Sequence, residues 1–328
     1  MNFLLKKIKS YKIFLLTVLF FLFIFKYIVG EAIKKENFSI PIVISIDNNY
    51  LPQAMVATTS LLKNSNSNYV FYVLISPEFS RKDELIGLEN NFENCKKINF
   101  INMGNECEDW KHGRFPKEAF YKTLIPKYLP QNIHKCIYID VDTVILKDIK
   151  DLYQINLEGK PIGGVADSIR YFANHRFPYE TKGIFDFQYY INTGVLLIDL
   201  DICREENITD KIENYFKRNK GLAHDQASIN YVFYSKIKDI PLKYNVLCFF
   251  RLESDFSEDP VPIRLFTEEE WDEGRRNPVI VHFAASKPWE NSSVRYGYEW
   301  WQYAKETGYF TSTEEFENKV IANKLSFN

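Results

Sequence analysis

The stretch Ile137-Tyr138-Ile139-Asp140-Val141-Asp142-Thr143-Val144-Ile145 sets two carboxylates into an otherwise apolar, β-branched run. A run this rich in Ile, Val and Tyr predicts a buried central strand. An unpaired charge in such a place is costly, or its pKa shifts until it is neutral, so both acids need a partner. Strand side chains alternate, which puts Asp140 and Asp142 on one side of the backbone at the carboxyl end of the strand. A pair of this kind suits a divalent cation that prefers oxygen. As a bare tripeptide, Asp-x-Asp is most often a solvated turn; its place at the end of an apolar strand is what supports the metal reading.

Around this segment the pattern alternates strand and helix, which implies an α/β domain with a mostly parallel central sheet covered on both faces. Strands are expected at Ile40–Ile46, Tyr69–Ile75, Lys97–Met103, Pro161–Ala166, Gly194–Leu200 and Val279–Phe283. Helices are expected at Pro52–Lys63, after an N-cap at Ser80, at Lys117–Tyr128 with a bend or break at Pro126, at Thr209–Arg218, at Asp225–Tyr234 and at Tyr296–Thr307. No repeat or low-complexity linker divides the chain. The economical organisation is one domain over residues 40–290, preceded by a basic segment at 1–12, an apolar anchor at 13–29 and a spacer at 30–39, and followed by a helical tail at 291–328.

The anchor reading rests on Lys6, Lys7, Lys9 and Lys12, which precede an apolar segment from Ile13 to Val29. That segment, about 17 residues, is near the lower limit for a membrane span. No small-residue cleavage site follows, which favours an uncleaved signal anchor over a removed leader. The basic flank predicts a type II membrane protein with a cytoplasmic N-terminus, in the Golgi of a eukaryote or the inner membrane of a bacterium. A segment lying in the interface is the alternative. The formal charge of −2 arises from 41 basic and 43 acidic residues, well mixed, which argues against a nucleic-acid partner. Cys95, Cys107, Cys136, Cys203 and Cys248 form no CxxC pair, so neither a zinc knuckle nor a dense disulfide framework is expected.

Further candidates lie at predicted strand ends and helix starts. The loop Ser45-Ile46-Asp47-Asn48-Asn49-Tyr50 follows the first strand, where open α/β sheets bind ligands, but it lacks the glycine of a phosphate cradle. Asp47 and Asn49 therefore suit hydrogen bonding to a base or ribose and Tyr50 suits ring stacking; the plain alternative is a turn that caps the next helix. His282 ends a strand and can supply a nitrogen ligand, and Lys287 five residues later a point charge for diphosphate oxygens. Two further clusters are Tyr190–Gly194, before the Gly194 strand, and His224–Gln226, opening a helix; Asp225 is either an N-cap or a residue that grips substrate hydroxyls.

Taken in order, ISIDNNY, FYKTLIPKYLP, YIDVDTVIL, the GVAD segment ending at Asp167, YINTGVLLIDL, HDQASIN and HFAASKPW resemble the retaining glycosyltransferases of family 8, a group that includes lipopolysaccharide and capsule galactosyl- and glucosyltransferases and the glycogenins. The resemblance runs from Ile40 to Trp289. It implies a Rossmann-like GT-A fold that binds a UDP-hexose with Mn2+, or Mg2+ in its place, and a glycan or glycolipid acceptor. It assigns the metal to Asp140, Asp142 and His282, the uridine to Asp47, Asn49 and Tyr50, and the diphosphate to Lys287. The surroundings of the donor sugar fall to Asp167, Asn192, Asp225 and Gln226, of which Gln226 and Asp225 stand at the reaction centre. Three departures stand out: Lys122, which falls in the donor-binding set, where the family usually has arginine, a glycine-free and shorter segment from His282 to Lys287, and Ala227 where an acid often follows the Asp-Gln pair.

The resulting expectation is a membrane-anchored, metal-dependent hexosyltransferase that retains configuration. Its rivals are a catalytically inactive glycan-binding or scaffold protein of the same fold, kept open by the Lys122 and Ala227 departures although the intact Asp140, Asp142 and His282 count against it, and a phosphohydrolase, whose usual extra metal-binding acids and histidines are not evident. The aromatic and basic composition of Ser168–Tyr189 fits an acceptor wall.

Overall fold

A computed structural model describes residues 20, 38–110, 115–172, 188–219, 224–248, 265–312 and 314–326. The anchor expected at 13–29 lies outside the described residues but for Phe20, as does most of the segment 168–189. Among the described residues no helix is long and apolar enough to cross a membrane. Residues from Ile40 to Asn328 form one compact unit.

The chain begins with β1 (Ser39–Ser45), β2 (Asn68–Ile75) and β3 (Cys95–Asn102), joined by helices Leu51–Lys63 and Lys82–Asn91. It then returns to lay β4 (Lys135–Ile139) on the other side of β1, in parallel, with Ile42 beside Ile137. A short β5 (Thr143–Ile145) follows, then β6 (Ile162–Ala166), β7 (Ile191–Asp199), β8 (Ile237–Asp239), β9 (Val246–Leu247) and β10 (Ile280–His282). Among the described residues seven strands form the main sheet in the order β3-β2-β1-β4-β7-β6-β8, and a second sheet runs β5-β10-β9. The main sheet is mostly parallel; β7 runs antiparallel to both of its neighbours. Strand order reverses between β1 and β4, and the crevice beyond the carboxyl ends at such a point is where α/β sheets bind ligands.

Alternate residues of the central strands serve opposite faces. Ile137, Ile139, Val195 and Leu197 join one apolar cluster with Trp271, Trp300 and Trp301, while Cys136, Tyr138, Leu196 and Ile198 join another with Phe120, Tyr215 and Phe216. Both faces of the sheet are therefore dry, which is why its strands read as near-continuous hydrophobic runs. Helix Gly297–Thr307 contributes Trp300, Trp301 and Ala304 to the first cluster, so this part of the expected tail is core.

The structure corrects several sequence expectations. Residues 137–145 are two strands in two sheets, not one strand. Thr143 Oγ1 donates to the Asp140 carbonyl at 2.8 Å and closes the turn between them, after which β5 pairs with β10. Residues Lys117–Leu124 form a 3-10 helix and Ile125–Tyr128 a separate α-helical turn. Pro126 sits in the first turn of the second piece, where its missing N–H costs nothing. Ser80 does not cap a helix: its N–H and hydroxyl go to Asn48 Oδ1, at 3.1 and 3.4 Å. Strand β7 starts earlier than expected, at Ile191, and Leu200 opens a helix capped by the Asp199 carboxylate. Helix Glu268–Arg276, with a capping box between Thr267 and Glu270, carried a legible signal in Thr267-x-x-Glu270 that the strand-and-helix reading passed over.

The path into β4 is pinned by Arg204. Its guanidinium donates to the carbonyls of Pro126 (3.0 Å), Leu129 (3.0 Å), Pro130 (3.1 Å) and Ile133 (2.9 Å). Hydrogen bonds to a charged donor contribute more than neutral ones, so Arg204→Met is expected to lower unfolding free energy by about 3 kcal/mol. Arg204→Lys should recover only part of this, because it lacks the planar fork. Urea denaturation of the two variants checks both outcomes.

Candidate active site

Backbone register brings three ligand-type side chains together. Asp140 stands one residue past β4, Asp142 one residue before β5, and His282 at the end of β10. The antiparallel β5–β10 pair sets His282 opposite Thr143, and the Phe283 N–H donates to the Asp142 carbonyl at 2.9 Å. His282 Nε2 then lies 3.2 Å from Asp142 Oδ1 and 3.9 Å from Asp140 Oδ2, and one ligand atom from each residue falls within 4.8 Å of the others. Two carboxylates and one imidazole nitrogen fit a cation that accepts both oxygen and nitrogen, such as Mn2+.

Glycine makes this approach possible. A Cβ built on Gly194 would stand 2.1 Å from His282 Cε1, so the imidazole occupies space that any other residue at 194 would fill. The Gly194 carbonyl also accepts from the Asp140 N–H at 2.7 Å, which ties the first acid to the same point of β7.

The charges are compensated in two groups. Burial works to raise the Asp142 pKa, but His282 and Lys287 outweigh it and hold the carboxyl well below the usual carboxylate range. Asp142 is therefore ionised, as a metal ligand must be. Lys287 bonds Asp142 and donates to the Phe283 carbonyl at 2.6 Å; burial acts to lower its pKa, and the Asp142 carboxylate reverses the sign. Behind Asp140, the buried Lys122 ammonium lies 3.0 Å from Asp140 and 2.9 Å from Asp225. The two acids outweigh the burial that would neutralise it, and its pKa is raised. Tyr138 donates its hydroxyl to Asp140 Oδ1 at 2.5 Å.

On the other flank, an amide and carboxylate chain lines the crevice. Asp167, buried after β6, accepts from Asn192 Nδ2 at 3.1 Å and Gln226 Nε2 at 3.3 Å. Gln226 Oε1 accepts from the Thr193 N–H at 3.1 Å, so both ends of this amide are held. Asp225 is the first residue of its helix and spends its carboxylate on Lys122; the N-cap position belongs to His224. Ala227 is buried one residue further on.

The loop after β1 meets the same crevice. Asp47 accepts from the Tyr50 N–H at 2.8 Å and from Asn49 Nδ2 at 3.3 Å, so it organises its own turn. Asn49 and Tyr50 are exposed. Partial burial raises the Tyr50 phenol, while Lys287 pulls it down and Asp142 pushes it up, which sets this ring in the field of the charged cluster. The structure thus gathers Asp140, Asp142, His282, Lys287 and Tyr50 on one side and Asp167, Asn192, Asp225 and Gln226 on the other. Lys122 lies behind both groups of acids, its amine shut away from the crevice.

Sequence reasoning missed Asn245, Asn48 and the service of Gly194 to the imidazole. Asn48 Nδ2 donates to the Glu78 carbonyl at 3.0 Å and its Oδ1 accepts from Ser80, which locks the first loop to the segment after β2. Asn245 is buried beside His282. No spacing rule marks it, since it stands alone 37 residues before the histidine. All five cysteines are free and buried, and burial pushes the Cys95 thiol up to about 12.

A family model described as Glycosyl transferase family 8 matches residues 41–293. General stress protein A of Bacillus subtilis (strain 168) is 27% identical over 287 residues, covering 82% of this chain and 94% of that protein. Glycosyltransferase GlyA of Streptococcus pneumoniae serotype 4 is 22% identical over 282 residues, 82% of this chain and 35% of its own length. Among solved structures, the galactosyltransferase LgtC, in complex with donor and acceptor sugar analogs, superposes with a TM-score of 0.67 at 20% identity over 85% of this chain and 100% of that one. That last likeness is one of fold.

Overpacking a tight site costs about 1–3 kcal/mol, and Gly194→Ala is expected to do so while moving the His282 ring resonances. Gly87→Ala, in open space on helix Lys82–Asn91, should be stabilising by up to about 1 kcal/mol and leave His282 undisturbed. Urea unfolding and imidazole NMR spectra distinguish the two.

Proposed function

The chain belongs to glycosyl transferase family 8, and on that premise we propose that it moves a hexose from a UDP-sugar to a glycan or glycolipid acceptor, with Mn2+ and with retention of configuration. The observation that carries this reading is the convergence of Asp140, Asp142, His282 and Lys287 in the crevice where strand order reverses. Departure of a nucleoside diphosphate from an anomeric carbon leaves negative charge on the leaving oxygens. A divalent cation held by the two acids and the imidazole would stabilise that charge, the kind of preorganised electrostatics that often supplies the largest rate term.

The residues of the chain divide the remaining work. Lys287 offers a second positive charge to the diphosphate from beside Asp142. Tyr50 stacks on the base at the mouth of the crevice, and Asn49 and Asp47 hydrogen-bond the uridine. Asp167 and Asn192 accept and donate to hydroxyls of the donor sugar, and Gln226, whose amide is fixed at both ends, lines its reacting face. An amide is a poor nucleophile, so a front-face departure through an oxocarbenium-like ion pair is preferred to a covalent intermediate. Asp225, neutralised by Lys122, orients Gln226. In this arrangement Lys122 acts on the donor through the acids it holds and makes no direct contact. The basic residues from Lys6 to Lys12 and the apolar run 13–29 support a signal anchor with a cytoplasmic N-terminus.

UDP release from a panel of UDP-sugars by the detergent-solubilised protein checks the reading. Slow hydrolysis of one donor is expected with Mn2+ and none with EDTA. Asp142→Ala should lose at least about 100-fold in rate. A protein that binds glycan yet neither binds nor turns over any UDP-sugar in Mn2+ would be a scaffold instead.

A further inference from the structure

We infer that Asn245 is a positioning residue: it fixes His282 in the tautomer that carries hydrogen on Nδ1, so that Nε2 faces the metal position, and it couples the imidazole to Asp167 through Asn192. The inference rests on the metal reading above and names the residue that makes His282 a competent ligand.

Amide and imidazole orientations follow here from groups whose roles are not interchangeable. The Gly194 backbone N–H is a donor and lies 3.0 Å from Asn192 Oδ1, which makes that atom the amide oxygen. The Asp167 carboxylate is an acceptor and lies 3.1 Å from Asn192 Nδ2, which agrees. Asn245 Nδ2 meets Asn192 Oδ1 at 2.8 Å, so Asn245 presents nitrogen to Asn192 and oxygen to the other side. On that side, Asn245 Oδ1 stands 3.1 Å from His282 Nδ1. An amide oxygen only accepts, so the imidazole nitrogen must carry the hydrogen. With hydrogen on Nδ1, the ring nitrogen left to meet a metal is Nε2, the atom turned toward Asp142 and Asp140.

Burial gives the arrangement its force. Asn245 has no exposed surface and His282 is 3% exposed, so neither can exchange its partner for water without a penalty. The residues flanking Asn245 sit in rigid structure, between a 3-10 turn at Leu242–Tyr244 and β9, which pairs with β10. Histidine ligands are commonly oriented this way by an acceptor on the far nitrogen, and loss of that acceptor typically weakens metal binding by about 10–100-fold. The series His282, Asn245, Asn192, Asp167 and Gln226 also joins the metal position to the sugar side of the crevice by hydrogen bonds alone.

Calorimetric titration of Mn2+ into the full-length protein tests the assignment. Asn245→Leu is expected to weaken binding by about 10–100-fold. In a His282→Ala background Asn245→Leu should change nothing further. Wild-type affinity in Asn245→Leu, or its full loss persisting without His282, overturns the inference while leaving the metal reading intact; a wild-type protein that binds no Mn2+ removes both. A second measurement needs no variant at Asn245: in long-range nitrogen–proton spectra of the Mg2+-loaded protein, the His282 signals, identified by their loss in His282→Ala, should show hydrogen on Nδ1. Hydrogen on Nε2 overturns the assignment.

Discussion

Two carboxylates at the end of a buried strand must be compensated, and the local structure is organised by that requirement. Asp140 and Asp142 are answered from different directions. Lys122 and Tyr138 approach the first from within the sheet and the preceding 3-10 helix, while His282 and Lys287 approach the second from β10 and the loop after it. The compensation is unequal in kind. Lys122 is sealed behind the crevice and shared with Asp225, so its charge serves the protein, whereas Lys287 and His282 border the space in which a ligand sits.

A turn of three residues makes this division possible. The chain leaves the main sheet after Ile139, passes through Asp140-Val141-Asp142, and enters the second sheet at Thr143. Each acid is thereby anchored to a different backbone, Asp140 to Gly194 of β7 and Asp142 to Phe283 after β10. The two acids and the imidazole are thus set by strand register, whereas Lys287 and the side chains of the loop after β1 come from irregular segments. Anchoring of this kind suits a site that stabilises developing charge, because strand-borne groups need little reorganisation when charge appears.

Much of this was legible in the chain. Asp140, Asp142, His282 and Lys287 could be singled out because each stands beside an apolar run that ends, and a charge at such an end is conspicuous. Asp167, Asn192 and Gln226 could be placed only through the ordered resemblance, and the structure hydrogen-bonds them together while Asp225 pairs with Lys122. What could not be read is what depends on partners distant in sequence. The break at Asp140 is invisible locally, since both halves are β-branched and only the pairing of β5 with β10 separates them. Lys122 could be marked as the family's basic position, but not as the shared partner of Asp140 and Asp225. Asn245 has no periodicity, cap or motif around it, and its meaning lies wholly in the two side chains it touches.

The central claim is that Asp140, Asp142 and His282 hold one divalent cation at the diphosphate of a nucleotide donor. A crystal grown with Mn2+ and UDP, measured at a wavelength where manganese scatters anomalously, tests this most directly. The account predicts one anomalous peak in contact with both carboxylates and His282 Nε2, with the UDP diphosphate against it and Lys287 beside the phosphate oxygens. UDP bound in the crevice with no peak at those three side chains, or with the peak elsewhere, would contradict it.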